Sequence, residues 1–313
     1  MLLLAGCRRA ENVQGPQIQA TATPTPRSTP LPAVPTLVPP GIEENPIRMV
    51  IRPPGSAVAR SLITDFQVEQ FESALLEETG LVVEVVTVDR YAEALAALCD
   101  SSPTQVTVAW LDGLSYQAAV AQDCGAPELL VERDGQSGEQ AHIIASAEQN
   151  ISSMVSLNGT EFCRLGSEDY YSWLIPSLLM QANGVDPLTG LSAVSDYPDE
   201  DALVAAVAEG TCATGIAEGD FNQLSGALRT DLTLVDSTPT IPYGVLMYSI
   251  SLPLGERLRL TDGLLALTLD AEASAAMEPF LGQDGLARVD ANDFNALTDF
   301  LTRTGLDFAQ LGR

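Results

Sequence analysis

Two hydrophobic rhythms alternate along this chain after residue 46: short β-branched runs, and longer segments with apolar residues three and four apart. Residues 47–51 (IRMVI) read as an apolar strand, and 62–78 carry helical spacing closed by Gly80, a residue suited to the left-handed turn after a helix. Residues 81–88 predict a second strand, 91–98 a helix, 106–110 a third strand and 115–121 a further helix, with strands at 128–132 and 142–146. This β-α-β-α-β order implies a parallel sheet with helices on its faces, and in such sheets ligands sit beyond the carboxyl ends of the strands.

A second unit is predicted from about Ala147, with a strand at 160–164 and the stretch GSEDYYSWLIP (166–176) running into a helix at 173–183 that Gly184 ends. A helix at 199–208 and a strand at 212–217 follow, and at Ile241-Pro242-Tyr243-Gly244 the chain turns into a strand at 245–250. The tail carries helical spacing at 257–269, 271–281 and 292–304. Two similar α/β lobes joined by two crossings predict a hinged, bilobed binding protein. Residues 46–143 with 245–313 form its first lobe and 144–244 its second, with hinges near 142–147 and 241–245.

Composition narrows the partners. A formal charge of −27 on 313 residues argues against nucleic acid, whose phosphates attract Lys and Arg clusters. All 15 basic residues are Arg, which reads as compositional bias. The chain opens MLLLAGC, and Leu4-Ala5-Gly6-Cys7 fits a lipobox, in which the cysteine is acylated. The apolar run before it is shorter than the usual signal-peptide core of roughly 7–15 residues, so residues 1–7 read as a truncated lipoprotein signal. Residues 8–45 are polar and then Thr/Pro-rich, the composition of an extended linker. A lipid anchor plus a stalk predicts an extracytoplasmic protein attached to the bacterial cell membrane. The remaining cysteines, Cys99, Cys124, Cys163 and Cys212, are even in number and form no C-x-x-C, which favours disulfides in an exported protein. With His142 the only histidine, neither a zinc site nor any cofactor is expected.

Four segments stand out: VTVAWLDGLSY (106–116), YYSWLIPSLLMQANGVDP (170–187), CATGIAEGD (212–220) and the Gly-rich turn and last helix at 282–307. In order and spacing they resemble the phosphate/phosphonate-type substrate-binding proteins of ABC transporters, over roughly residues 46–308. The resemblance implies an α/β, bilobed type II periplasmic binding protein fold: two parallel or mixed sheets flanked by helices, with a two-crossing hinge. It also implies a monomer that holds a small-molecule solute between its lobes and delivers it to an ABC permease. Tyr91, Ser115, Tyr116 and Asp220 keep the residue types of the family's ligand contacts. The family fold further implies the disulfide pairs Cys99–Cys124 and Cys163–Cys212, each inside one lobe.

The chain departs from that family at the ligand. Glu168-Asp169-Tyr170-Tyr171 replaces a Ser-Ser-Thr-Ser run, Asp112 replaces Gly, and Glu218 stands where Ser is common. Two readings of the first replacement compete. With Ser167 as N-cap, Glu168 and Asp169 could simply meet the helix dipole. Alternatively they face the cleft with Asp112, Glu218 and Asp220, where five poorly screened carboxylates would repel a phosphonate by several kcal/mol. Together with Tyr91, Trp110, Tyr116, Tyr170 and Tyr243 they would suit an ammonium-bearing ligand through ion pairing and cation–π contact. Arg52 and Arg164 could form structural ion pairs or hold an anionic group, and a zwitterion would use both charges. His142 reads as a structural histidine. No G-x-S-x-G, H-E-x-x-H or phosphate loop is present, so an enzyme is not expected. The competing function is a binding-protein-like sensor or interaction module that signals to a membrane receptor.

Overall fold

The computed structural model describes residues 38–54, 60–167, 169–219, 221–224, 226–290 and 292–310. Cys7, most of the 8–45 linker, Glu168 and Asp220 lie outside these residues. The strands are β1 (Ile47–Ile51), β2 (Val83–Thr87), β3 (Thr107–Leu111), β4 (Gly125–Glu132), β5 (Gly138–Glu139), β6 (Ala141–Ser146), β7 (Glu161–Arg164), β8 (Ala193–Asp196), β9 (Thr214–Glu218), β10 (Leu232–Ser237), β11 (Ile241–Pro242), β12 (Val245–Ser249) and β13 (Gly285–Arg288). The α-helices are α1 (Asp65–Thr79), α2 (Tyr91–Cys99), α3 (Gly113–Ala121), α4 (Ile175–Ala182), α5 (Glu200–Ala208), α6 (Gly226–Asp231), α7 (Leu254–Leu267), α8 (Ala271–Leu281) and α9 (Asn295–Arg303).

Two larger sheets result, one ordered β13-β4-β12-β3-β1-β2 and the other β10-β6-β9-β7-β8, with a β11-β5 ribbon between the segments that build them. The first sheet is mixed: β1 pairs in parallel with β2 and β3, whereas β12 runs antiparallel to β3 and β4. β3 and β12 are buried at every position because both faces of this sheet are covered. One face packs Phe71 and Leu75 of α1 with Leu260 and Leu264 of α7 and Phe280 of α8. The other packs Leu95 and Leu98 of α2 with Ala118 and Ala119 of α3. α1 starts with a Thr64/Gln67 capping box and ends on Gly80 at φ 64°, the left-handed value that favours glycine. The second sheet is covered by α4 and α9 on one side and by α5 on the other.

Three features differ from the sequence expectation. β6 belongs to the second sheet, so the first crossing lies at residues 133–140, ahead of 142–147. α9 buries Leu297, Phe300 and Leu301 among Trp173, Ile175 and Leu179, so the tail reaches the second sheet's core, while Thr298 still accepts from Gln117 of α3. Residues 38–45, read as the end of the linker, fold against the first sheet. There Val82 donates its N–H to Gly41, and the Asn45 amide donates to Val38 and Pro103. The two disulfides, Cys99–Cys124 and Cys163–Cys212, are present as the family fold implies.

Candidate functional site

β3 delivers Asp112 to the start of α3, where its Oδ1 accepts the Ser115 N–H at 2.7 Å. The next free amide, Leu114 N–H, donates to the hydroxyl of Tyr170 at 3.1 Å, so a residue ahead of α4 closes onto the start of α3. Gly113 eases the approach, because a Cβ there would lie 3.1 Å from the Tyr170 hydroxyl and from Leu297 and 3.3 Å from Pro242, tight enough that a neighbour would have to shift. A helix start of this kind ordinarily attracts an anion. Here the chain's own carboxylate and phenol take its donors. Burial raises the pKa of Asp112, against the pull of the Ser115 bonds, and pushes that of Tyr170 well up, with Asp112 adding to the effect.

The YYSWL turn repeats this arrangement on the other side of the cleft. Asp169, not Ser167, is the N-cap: its Oδ1 accepts the Ser172 N–H at 2.7 Å, while Ser167 is exposed. Residues Tyr170–Leu174 form a π-helical turn, with Leu174 N–H bonded to the Asp169 carbonyl. The cause is Pro176, which has no N–H to donate to Ser172 and whose ring would press on that carbonyl, so the backbone widens before α4 begins. Tyr170 and Tyr171 meet edge to face at 5.2 Å.

Beyond this turn the strand ends gather carboxylates. Glu218 closes β9, and its N–H is held by the Glu200 carboxylate at 2.6 Å. Burial pushes the Glu218 carboxyl up to about 8, and Glu200, Glu139 and Asp169 push in the same direction. Glu139, on the crossing ribbon, is also raised by burial while accepting the Tyr243 hydroxyl at 3.3 Å. Tyr243 itself is pushed up to about 12 by burial and by Glu139.

The first lobe answers with cations. Arg52 lies 4.8 Å over the ring of Tyr91, and Arg133 lies 4.5 Å over the ring of Tyr243. These four residues line a cavity of about 20 Å³ together with Trp110, whose buried indole N–H has no acceptor among the described residues. Burial raises the Tyr91 phenol, Asp112 raises it further, and Arg52 opposes them. A cavity of about 610 Å³ between α1 and α8 shares no residue with this group and is rimmed by Glu69, Glu77, Glu78, Asp270 and Glu272. It holds none of the paired aromatic and charged groups described above, so its size does not make it the site.

Of the residues expected from sequence, Arg52, Tyr91, Trp110 and Tyr243 line the small cavity. Asp112, Ser115 and Tyr170 form the junction at the start of α3, and Asp169 and Glu218 belong to the acidic group. Tyr116 sits elsewhere: it stacks on Phe294 at 4.0 Å inside the core, where burial raises it to about 12. Arg164 is structural, paired with Asp196 at 2.8 Å and lying over Trp173. His142 has a partner on each ring nitrogen, the Ser237 hydroxyl and the Gly219 carbonyl, both at 2.7 Å. Sequence reasoning misses Arg133, Glu139, Tyr171 and Glu200 as site residues. The first two lie on a polar crossing that reads as a loop, and only its position between two strand runs could have singled it out.

A family profile described as "ABC transporter, phosphonate, periplasmic substrate-binding protein" matches residues 64–294. No curated protein sequence matches. Among solved structures, a Xanthomonas citri protein bound to ATP is 15% identical with a TM-score of 0.58, over 83% of this chain and 96% of that one. A binding-protein component of a phosphonate ABC transporter from Pseudomonas aeruginosa has 16% identity and a TM-score of 0.52, over 85% and 87%. PhnD1 of Prochlorococcus marinus in complex with methylphosphonate has 14% identity and a TM-score of 0.51, over 83% and 98%. These likenesses establish the fold, and the profile match spans well over half of the sequence. The chain belongs to the phosphonate family of periplasmic substrate-binding proteins of ABC transporters.

Proposed function

We propose that this chain captures a small ammonium-bearing or zwitterionic solute between its two lobes and passes it to an ABC permease. The observation that carries the ligand class is the pair of self-capped helix starts. Asp112 and the Tyr170 hydroxyl occupy donors at the start of α3, and Asp169 does so at the turn before α4. An oxyanion would have to displace these groups and then lie near Glu139, Glu218 and Asp169. A cation finds the reverse: burial holds the carboxyls of Glu218 and Glu139 toward their protonated form, and a bound ammonium favours their ionisation and pairs with them beside the phenols of Tyr170, Tyr171 and Tyr243.

The lobes in this reading are the six-stranded and five-stranded sheets with their helices, and the hinge is the crossing at 133–140 and 238–244 around the β5–β11 ribbon. Solute binding favours the closed arrangement by touching both lobes. Cys7 carries the lipid that tethers a monomer near its permease, with residues 8–37 as spacer. Calorimetry with cationic and oxyanionic solutes tests the ligand class: the wild type should bind an ammonium-bearing solute in preference to methylphosphonate or phosphate.

A further inference from the structure

Arg52 and Arg133 line the same small cavity. Among the described residues neither has a carboxylate within ion-pairing distance, whereas Arg48, Arg60, Arg90, Arg164, Arg259 and Arg288 all do. Their hydrogen bonds go to neutral groups: Arg52 to the Asp89 carbonyl at 3.2 Å and to the Tyr91 hydroxyl, and Arg133 to the carbonyls of Gly282 at 2.9 Å and Leu281 at 3.4 Å. Each guanidinium also lies over a tyrosine ring, which positions it without neutralising it. Trp110, 3% exposed, borders the same cavity with an indole N–H that has no acceptor among the described residues. A buried donor left unsatisfied costs about 1–3 kcal/mol. The carboxyls that act on the two guanidiniums, Asp112 on Arg52 and Glu139 on Arg133, do so without a direct ion pair.

We infer that Arg52, Arg133 and Trp110 form an anion subsite for a carboxylate group of the bound solute. The inference rests on the cleft-binding reading above and deepens it. The subsite lies at the first lobe's strand ends, separate from the α3 helix start that Asp112 and Tyr170 occupy. A cavity of about 20 Å³ admits roughly one water-sized group. One carboxylate oxygen fills that space and its planar group lies along the opening, whereas the two further oxygens of a tetrahedral phosphonate would be left outside it. Arg52 and Arg133 supply charge from two sides and Trp110 supplies a directed N–H. With Glu218 on the opposing strand end and Glu139 on the crossing ribbon, the solute becomes an amino-acid-like or betaine-like zwitterion, with its carboxylate toward the first lobe and its ammonium toward the second.

The chain has two tryptophans, Trp110 and Trp173, so its indole N–H resonances are two peaks that a Trp110→Phe variant assigns. The test titrates acetate, and separately methylphosphonate, into the full chain at constant ionic strength set with a bulky buffer anion. The subsite predicts a saturable shift of the Trp110 resonance with acetate, little shift with methylphosphonate, and an unmoved Trp173 resonance. Arg52→Gln or Arg133→Gln should weaken the acetate response about tenfold, the loss expected for one charge-assisted hydrogen bond. Arg52→Lys and Arg133→Lys should retain part of it, which separates lost charge from lost folding. No acetate shift, a larger shift with methylphosphonate, or an acetate response unchanged in both Gln variants would overturn the subsite. Bare acetate carries no ammonium and leaves the acidic group unengaged. Failure here therefore does not touch the cationic reading, which calorimetry decides.

Discussion

Removing the charge from Glu218 should stabilise the protein in alkaline solution and leave it unchanged in acid. The carboxyl is raised from 4.5 to about 8, first by burial and then by Glu200, Glu139 and Asp169. A folded-state pKa above the unfolded value means that the native state binds the proton more tightly. The stability this group contributes is thus complete below about pH 4.5 and is lost as pH rises through 8. Every tenfold gain in proton affinity corresponds to about 1.36 kcal/mol, and with allowance for partial solvation the loss is roughly 4 kcal/mol by pH 9. Glu218→Gln keeps the shape and removes the ionisation. Urea unfolding of both proteins between pH 5 and pH 9 should give nearly equal stabilities at pH 5. At pH 9 the variant should lead by several kcal/mol. An exposed control, Glu209→Gln, should show no such divergence. Parallel curves for wild type and Glu218→Gln would refute the burial and charge crowding assigned to this strand end.

Tyr170→Phe would leave the Leu114 N–H without its acceptor at the junction of the lobes, and should cost about 1–2 kcal/mol in thermal or urea unfolding; an unchanged midpoint would mean that the junction is open in solution. Replacing Cys99 and Cys124 by Ser should cost about 3.5 kcal/mol, and replacing Cys163 and Cys212 about 4 kcal/mol, on the chain-entropy relation for the two loops. Denaturant titration of each pair checks this, and losses below about 1 kcal/mol would show that these bridges constrain little of the unfolded chain.

Much of the fold is legible because the central strands are buried on both faces. Runs such as TVAWL and VLMYS are apolar throughout, and helices such as 91–99 carry their spacing in the sequence itself. Besides the two-residue ribbon strands β5 and β11, the strands that escape notice are β8, β10 and β13, each at the edge of a sheet. AVSD is mostly exposed and LTLVDS has a register shift after Leu234, so neither shows a clean alternation. The site follows the same logic. Trp110 and Tyr243 announce themselves by their place at strand ends. Tyr116 misleads because its partner, Phe294, comes from the far end of the chain and no local pattern reveals it. The change of cap from Ser167 to Asp169 depends on Pro176, whose missing N–H shifts the bonding pattern upstream. Arg133 and Glu139 sit in a polar segment with left-handed backbone at Asp134 and Gly135, which reads as a surface turn. Only the crossing of the chain between two sheets makes it part of the cleft.

The central claim is that a phosphonate-family scaffold here holds a solute by its positive charge. Isothermal calorimetry at pH 8 measures this directly, with methylphosphonate, phosphite and phosphate on one side and glycine betaine, choline and amino acids on the other. Wild type should bind a solute of the second group, and Asp169→Ser/Glu218→Gln should lose that binding while keeping its fold. Tight binding of an oxyanion by the wild type, unaffected by the double substitution, would contradict the account.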